Sequence, residues 1–173
     1  YNCKTIVFSS SATIYAQSNN SPLAENSPIK PINTYGSTKA AIENLLKNLY
    51  DEPFSDWRIA NLRYFNPIGA HPSGLIGECP EGHANNIFPI ITKVACGQLK
   101  KLNIFGNDWP TRDGTGVRDY IHVMDLAEGH VASLECLIGE PPQILNLNLG
   151  TGKGTTVLEL IKKFENVNKV KIP

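Results

Sequence analysis

Two β-branched apolar runs with helical sequence between them constrain this chain more than any other feature. "KTIVFSS", Lys4–Ser10, and "WRIANLRYFN", Trp57–Asn66, are too continuously apolar for strands that face water on one side. The first run ends in small polar residues, as a buried strand does when its carboxyl end opens into a site. Between the two runs lie a Ser/Asn/Pro-rich loop, Ser18–Pro31, and a helical stretch from Tyr35 to about Tyr50 with Asn33 as candidate N-cap. Strand, helix and strand in this order make a parallel β-α-β unit over Ile6–Ser10, the helix and Ile59–Phe65. The expected fold class is α/β: part of a doubly wound parallel sheet.

After Asn66 the composition changes to "PIGAHPSGLIGECPEGHANN", rich in Gly, Pro and His, which predicts a loop and a domain boundary. Residues 1–67 and 68–173 are therefore read as two parts, the second mixed. In it "NIFPIITKVACG" predicts a helix, "KLNIF" a short strand and "DLAEGHVASLECLIG" a helix ended by Gly139. "ILNLNLG" predicts a strand, and "TTVLELIKKF" a helix with Thr156 and Glu159 spaced for a capping box.

In the first helix Tyr35, Lys39, Ile42, Leu46 and Leu49 fall on one stripe at about 100° per residue, so a cation is expected to share the buried face. An unpaired ammonium there is costly; Lys39 either snorkels out or has a partner. Of the six tyrosines only Tyr35 has a lysine four residues on. On a helix such a pair is stacked. A phenol with a free pKa of about 10 needs roughly 4 kcal/mol to act as a base near neutrality. One ammonium about 4 Å away, at an effective dielectric of about 20, supplies that much.

Charge excludes other classes. The 173 residues hold 16 basic and 16 acidic side chains, so no polyanion track or membrane surface is implied. No apolar run reaches bilayer length and no leader is seen, which predicts a soluble, cytoplasmic protein. Cys3, Cys79, Cys96 and Cys136 are irregularly spaced and read as free thiols. His71, Cys79 and His83 match no usual zinc spacing, and no metal site is expected. "GTGKGTT" and "GTGVRD" miss the spacing of nucleotide-binding glycine loops. His122 and His130 read as ordinary strand or helix residues.

"FSSSATIY", "TYGSTK", "LRYFNPIGAHPSGLIGE", "ANNIFPII" and "NIFGNDWPTRDGTGVRDYIHVMDLAEGHV" together resemble the UDP-glucose 4-epimerases, extended short-chain dehydrogenases/reductases, over nearly the whole chain. The resemblance implies a Rossmann sheet with a smaller mixed α/β substrate-binding domain. It implies NAD as cofactor, and a UDP-hexose oxidised at carbon 4 and reduced again from the other face. Tyr35 would be the general base, Lys39 its cation and the partner of the nicotinamide ribose, and Ser11 a hydrogen bond to the reacting hydroxyl. Ser9, Ser10, Tyr64, Phe65 and Pro67 would line the cofactor. Asn66, Asn85, Asn86 and Arg118 would bind the UDP part, with Phe105 along the uracil.

Rival readings stand beside these. Arg118 can pair with Asp119, and Asn85 or Asn86 can cap a helix. A nucleotide-sugar dehydratase of the same fold needs carboxylates beside the serine, where Ala12 and Thr13 stand. A silent nucleotide-binding protein is the rival from another class. Family members commonly form homodimers through the Tyr35 helix, where Leu45 lies about 80° from the stripe; the alternative is that Leu45 packs on the Ser18–Pro31 loop. The chain opens on a core strand without the family's G-x-x-G-x-x-G loop and stops just after a helix. It is accordingly expected to be a piece of a longer protein, binding NAD poorly and inactive by itself.

Overall fold

The computed structural model describes residues 2–16, 22–82 and 84–173. In chain order these form β1 (Thr5–Ser11), a 3-10 turn (Ala12–Ile14), α1 (Thr34–Asp51), β2 (Arg58–Tyr64), β3 (Asn66–Ile68) and α2 (Ile87–Ala95). Then follow β4 (Val117–His122), α3 (Val123–Gly139), β5 (Gln143–Leu149), β6 (Gly154–Thr156) and α4 (Val157–Asn168). The fold is α/β, with one parallel sheet of order β1-β2-β5 and one mixed sheet of order β3-β4-β6.

The predicted β-α-β unit is present. β1 and β2 pair in parallel from Thr5↔Arg58 to Ser11↔Tyr64, and β5 adds to the far side of β2 with Tyr64 opposite Leu149. As the central strand, β2 buries both faces. Ala60 and Leu62 pack against Leu137 of α3, and Arg63, on the other face, is held by Glu43 of α1. Burying a leucine or isoleucine side chain here is worth about 1.5–3 kcal/mol. A second core joins α2 and α4: Ile91, Leu160 and Ile161 pack together, and Phe88 meets Phe164 edge to face, ring centroids 5.8 Å apart.

Asn33 does cap α1, its Oδ1 accepting from the Gly36 N–H at 2.7 Å. The capping box of Thr156 and Glu159 opens α4. Several expectations need correction. "KLNIF" forms no strand; it runs without a ladder partner, and its one backbone bond outside helices and strands is from the Leu102 N–H to the Pro173 carbonyl. The stretch after Asn66 is not all loop, because residues 66–68 pair with β4. Nor does the chain beyond residue 68 stay with the mixed sheet: α3 packs on the parallel sheet and β5 joins it.

The stripe on α1 is rotated from the expected one. Gly36, Glu43 and Leu46 are the buried residues, whereas Tyr35 is 56% exposed and Ile42 38%. Two contacts set this rotation. A Cβ on Gly36 would lie 2.5 Å from the Thr13 carbonyl oxygen, so only glycine lets the first turn seat there. Glu43 is drawn inward by Arg63. The charge on the buried face is thus a glutamate rather than the lysine. The four cysteines are free and exposed, and among the described residues no helix is long and apolar enough to cross a membrane.

Candidate active site

The carboxyl ends of β1 and β2 meet the start of α1 in a polar corner. Lys39 is half-buried there: its Nζ donates to the Ser9 carbonyl at 2.8 Å and stands 5.1 Å from the Phe8 ring centroid and 5.5 Å from that of Tyr35. The lysine therefore has a partner at the strand end, and the phenol beside it is open to solvent. The Ser11 hydroxyl accepts from the Thr13 N–H at 3.2 Å, capping the 3-10 turn on which α1 sits. Tyr64, at the end of β2, shares hydrogen bonds with Ser9 Oγ at 2.7 Å and with His130 Nε2. Burial pushes the Tyr64 phenol above its ordinary range; the Ser9 bond works against this and nearby Tyr35 adds to it.

Beneath the corner lies a buried ionic cluster. Arg63 forks onto Glu43, Nη2 to Oε2 at 2.7 Å and Nε to Oε1 at 3.1 Å, and its Nη1 donates to Tyr15 Oη at 3.0 Å and the Glu25 carbonyl at 2.8 Å. Burial alone would lower the Arg63 pKa, but the bonds to Glu43 and Tyr15 turn the shift upward. Ser10 belongs to this cluster. Its hydroxyl donates to Glu43 Oε1 at 2.5 Å and is 1% exposed, so its side chain serves the core instead of facing a ligand.

The second half of the site is a cleft of about 1130 Å³ between α2, β3 and β4. Asn66, Pro67, Asn85, Asn86, Phe105 and Arg118 all line it. The Arg118–Asp119 pairing does not form. Asp119 is occupied by the Thr151 hydroxyl at 2.6 Å and the Gly152 N–H at 2.7 Å, and a Cβ on Gly150 would come within 2.7 Å of its carboxylate. Arg118 bonds only the carbonyl of neighbouring Val117 and has no ion pair among the described residues. Asn86 occupies the N-cap position of α2 without a capping bond and donates to Glu78 Oε1 at 2.9 Å. An exposed guanidinium and neutral amides suit phosphate and sugar oxygens.

Corner and cleft are joined by the run Tyr64–Pro67. Asn66 and Arg118 also border a smaller cavity of about 270 Å³ with Phe65, Asp119 and Asn148. Sequence reasoning missed Tyr120 and Trp109, which line the larger cleft. Tyr120 was findable, since a residue two beyond Arg118 on a strand shares its face. Burial pushes its phenol up, against the pull of Arg118. His122 ends β4 and caps α3, its Nδ1 accepting from the Met124 N–H at 3.1 Å. His71 meets Ser73, while His83 lies outside the described residues; among those described, no three His, Cys, Asp or Glu side chains converge.

Comparison with known proteins gives this arrangement its relatives. Residues 1–148 match the family described as the NAD dependent epimerase/dehydratase family. The chain is 53% identical over 173 residues to UDP-glucose 4-epimerase 4 of Oryza sativa subsp. japonica, covering 100% of this chain and 47% of that protein. It is 52% identical to UDP-glucose 4-epimerase of Bacillus subtilis (strain 168), covering 100% and 50%. Among solved structures, UDP-glucose 4-epimerase from Stenotrophomonas maltophila with bound NAD and formylated UDP-arabinopyranose superposes with a TM-score of 0.94 at 49% identity, over 98% of this chain and 50% of that one. The Bifidobacterium longum enzyme in complex with NAD+ and UDP gives 0.91 at 46%, over 99% and 51%. The chain spans about half the length of the curated relatives it matches. With most of its length matched, corner and cleft included, this chain belongs to the NAD-dependent epimerase/dehydratase family.

Proposed function

We propose that this chain carries the reacting groups and the nucleotide-sugar cleft of an NAD-dependent UDP-glucose 4-epimerase, which interconverts UDP-glucose and UDP-galactose. The observation that carries the reading is the junction at Tyr64–Pro67. Four consecutive residues lead from the corner with Tyr35 and Lys39 to a cleft with Arg118, which has no ion pair among the described residues, so a hexose can be worked on while its UDP stays anchored. Residues 1–67 then belong to the NAD-binding Rossmann part and 68–173 to the UDP-sugar part, with α3 and β5 returning to the first sheet.

The donor set fits NAD. An ammonium, hydroxyls and an aromatic edge at the carboxyl ends of parallel strands are what a nicotinamide ribose requires, and Ser9, Lys39, Tyr64, Phe65 and Pro67 would hold it. Bound NAD supplies the acceptance and return of hydride at carbon 4 of the hexose. Tyr35 takes the proton from the 4-hydroxyl with Lys39 as the neighbouring cation, and Ser11 hydrogen-bonds the same oxygen. Arg118 forks onto phosphate oxygens, Asn66, Asn85 and Asn86 bond the UDP part, and Phe105 lies along the uracil. This hold lets the 4-keto sugar turn over without leaving. Ala12 and Thr13 beside Ser11 offer no carboxylate for a dehydratase's elimination step. The test is to incubate the full-length protein with UDP-galactose and NAD. An equilibrium mixture with UDP-glucose and no net NADH is expected; net NADH, or loss of water from the sugar, overturns the reading.

Ile42 and Leu45, 38% and 57% exposed on α1, further suit an isologous contact between two copies of the enzyme. Leu45→Glu in the full-length protein should shift its sedimentation from dimer to monomer with the fold kept. An unchanged dimer, or a monomeric wild type, overturns this.

A further inference from the structure

His130 of α3 touches the corner through Tyr64, and its two ring nitrogens have different neighbours. Nδ1 lies 2.8 Å from the carbonyl of Leu126, one turn back on the same helix. A carbonyl only accepts, so Nδ1 carries a proton, and in the neutral form of the ring Nε2 is then bare and only accepts. That Nε2 faces the Tyr64 hydroxyl. The two rings pack edge to face with centroids 5.3 Å apart, which holds the imidazole in this orientation. The Tyr64 O–H therefore donates to His130; the 2.7 Å contact between Tyr64 and Ser9 Oγ, which taken alone suits Tyr64 as donor, is then completed by the Ser9 hydroxyl, because one phenolic proton does not serve both neighbours. Ser9 is also the residue whose carbonyl takes the Lys39 ammonium at 2.8 Å. A chain of bonds thus runs from a helix carbonyl on α3, through imidazole, phenol and serine, to the strand end that fixes Lys39.

We propose that His130 is a positioning residue for the reaction: as the Nδ1-protonated tautomer it orients the Tyr64 hydroxyl, and through it Ser9, on the side of the corner that receives the cofactor. Its effect on turnover rests on the epimerase reading, whereas the bond chain does not. With Nε2 as an acceptor the Ser9 hydroxyl points at Tyr64; without it the Tyr64 proton turns to Ser9 and the direction of the chain reverses.

The test is a long-range proton–nitrogen correlation spectrum of the full-length protein labelled at histidine, followed by kinetics. His130 should show a protonated Nδ1 and an unprotonated Nε2, a pattern that weakens in Tyr64→Phe. His130→Phe should lower kcat about five- to tenfold, the worth of one neutral hydrogen bond, and weaken NAD binding in calorimetry, with KM for UDP-galactose unchanged. His130→Gln, whose amide oxygen can still accept, should recover most of the loss. A wild-type His130 protonated at Nε2, or wild-type kcat and NAD affinity in His130→Phe, overturns the assignment. Failure of the epimerase reading shows elsewhere: full turnover in Tyr35→Phe removes that reading, while the tautomer and the loss of NAD affinity still support His130.

Discussion

The corner and the cleft meet at Asn66, but they are built from different materials. At the corner the functional groups hang from the ends of strands and the first two turns of α1. Beneath them lies the Arg63–Glu43 pair, with side chains 3% and 6% exposed. In the cleft Arg118 is exposed, Phe105 is 88% exposed and Trp109 57%, and the loops carrying these aromatics have no strand ladder. The equivalent ion pair in that half, Arg112–Glu159, sits in solvent at 54% and 42%. Proton transfer, the role proposed for the corner, tolerates little error in position, and a parallel sheet with a buried charge network suits it. Holding a nucleotide, the role proposed for the cleft, tolerates more, and a small mixed sheet flanked by loops suits it.

The largest effect that can break this contrast is at the buried pair. Glu43→Ala leaves the Arg63 guanidinium in the core with Ser10 and Tyr15 but no counter-charge, and should cost about 3–5 kcal/mol of stability. Urea denaturation of the full-length protein measures it. A loss below about 1 kcal/mol would mean that water reaches Arg63 and that the corner rests on something else.

Next comes Tyr35→Phe. It removes the proposed proton acceptor and leaves the packing of an already exposed ring, so kcat should fall by two or more orders of magnitude, about 2.7 kcal/mol or more. UDP affinity should stay within about twofold, because the cleft is untouched. Unchanged turnover would take the base role away from Tyr35; a parallel loss of UDP binding would show that corner and cleft are not separable.

How far each half was legible in the sequence follows the same division. The β-α-β unit, the Asn33 cap and the Thr156–Glu159 capping box are local patterns, and the structure contains all three. The mixed sheet is not local. β3 and β6 have three residues each, too few for a period, and they pair with a β4 whose "VRDYIH" mixes charges into the run. The direction of the α1 stripe was misjudged because a helical period treats Glu43 as solvated. Its partner Arg63 is on β2, and no window of sequence brings the two together. The bond of the Ser10 side chain to Glu43 is hidden from the sequence for the same reason. The cleft residues were reached by motif and not by pattern. That strands β3 and β4 and the loops beside them gather Asn66, Asn85, Asn86, Phe105 and Arg118 around one space is a tertiary fact.

Arg118→Ala sharpens the contrast from the other side. It should weaken UDP by about 1.5–3 kcal/mol in calorimetry and raise KM for UDP-sugar, with kcat nearly kept and folding unaffected, since among the described residues the side chain bonds only the Val117 carbonyl. A fall in kcat at unchanged affinity would move Arg118 into the chemistry.

The smallest effect belongs to the exposed pair, and its sign is set by pH. The Arg112 fork is the main reason that the Glu159 carboxyl is held down at about 2, with the Thr156 N–H helping, against an ordinary value of 4.5. A carboxyl whose folded pKa is depressed releases its proton more readily in the folded state. Its contribution to stability is therefore complete above about pH 4.5 and is lost as the pH falls toward about 2. Glu159→Gln isolates this charge, because the amide oxygen can still accept from the Thr156 N–H that the carboxylate takes at 2.9 Å, preserving the capping box. The variant should melt slightly below the wild type at pH 7. The gap should shrink with added salt, as an exposed pair is screened, and close as the pH drops through the 4.5-to-2 window. The deficit of Glu43→Ala should ignore salt. If the Glu159→Gln gap is large and insensitive to salt, the mixed sheet depends on its surface pair as the parallel sheet does on its buried one, and the contrast between the two halves fails.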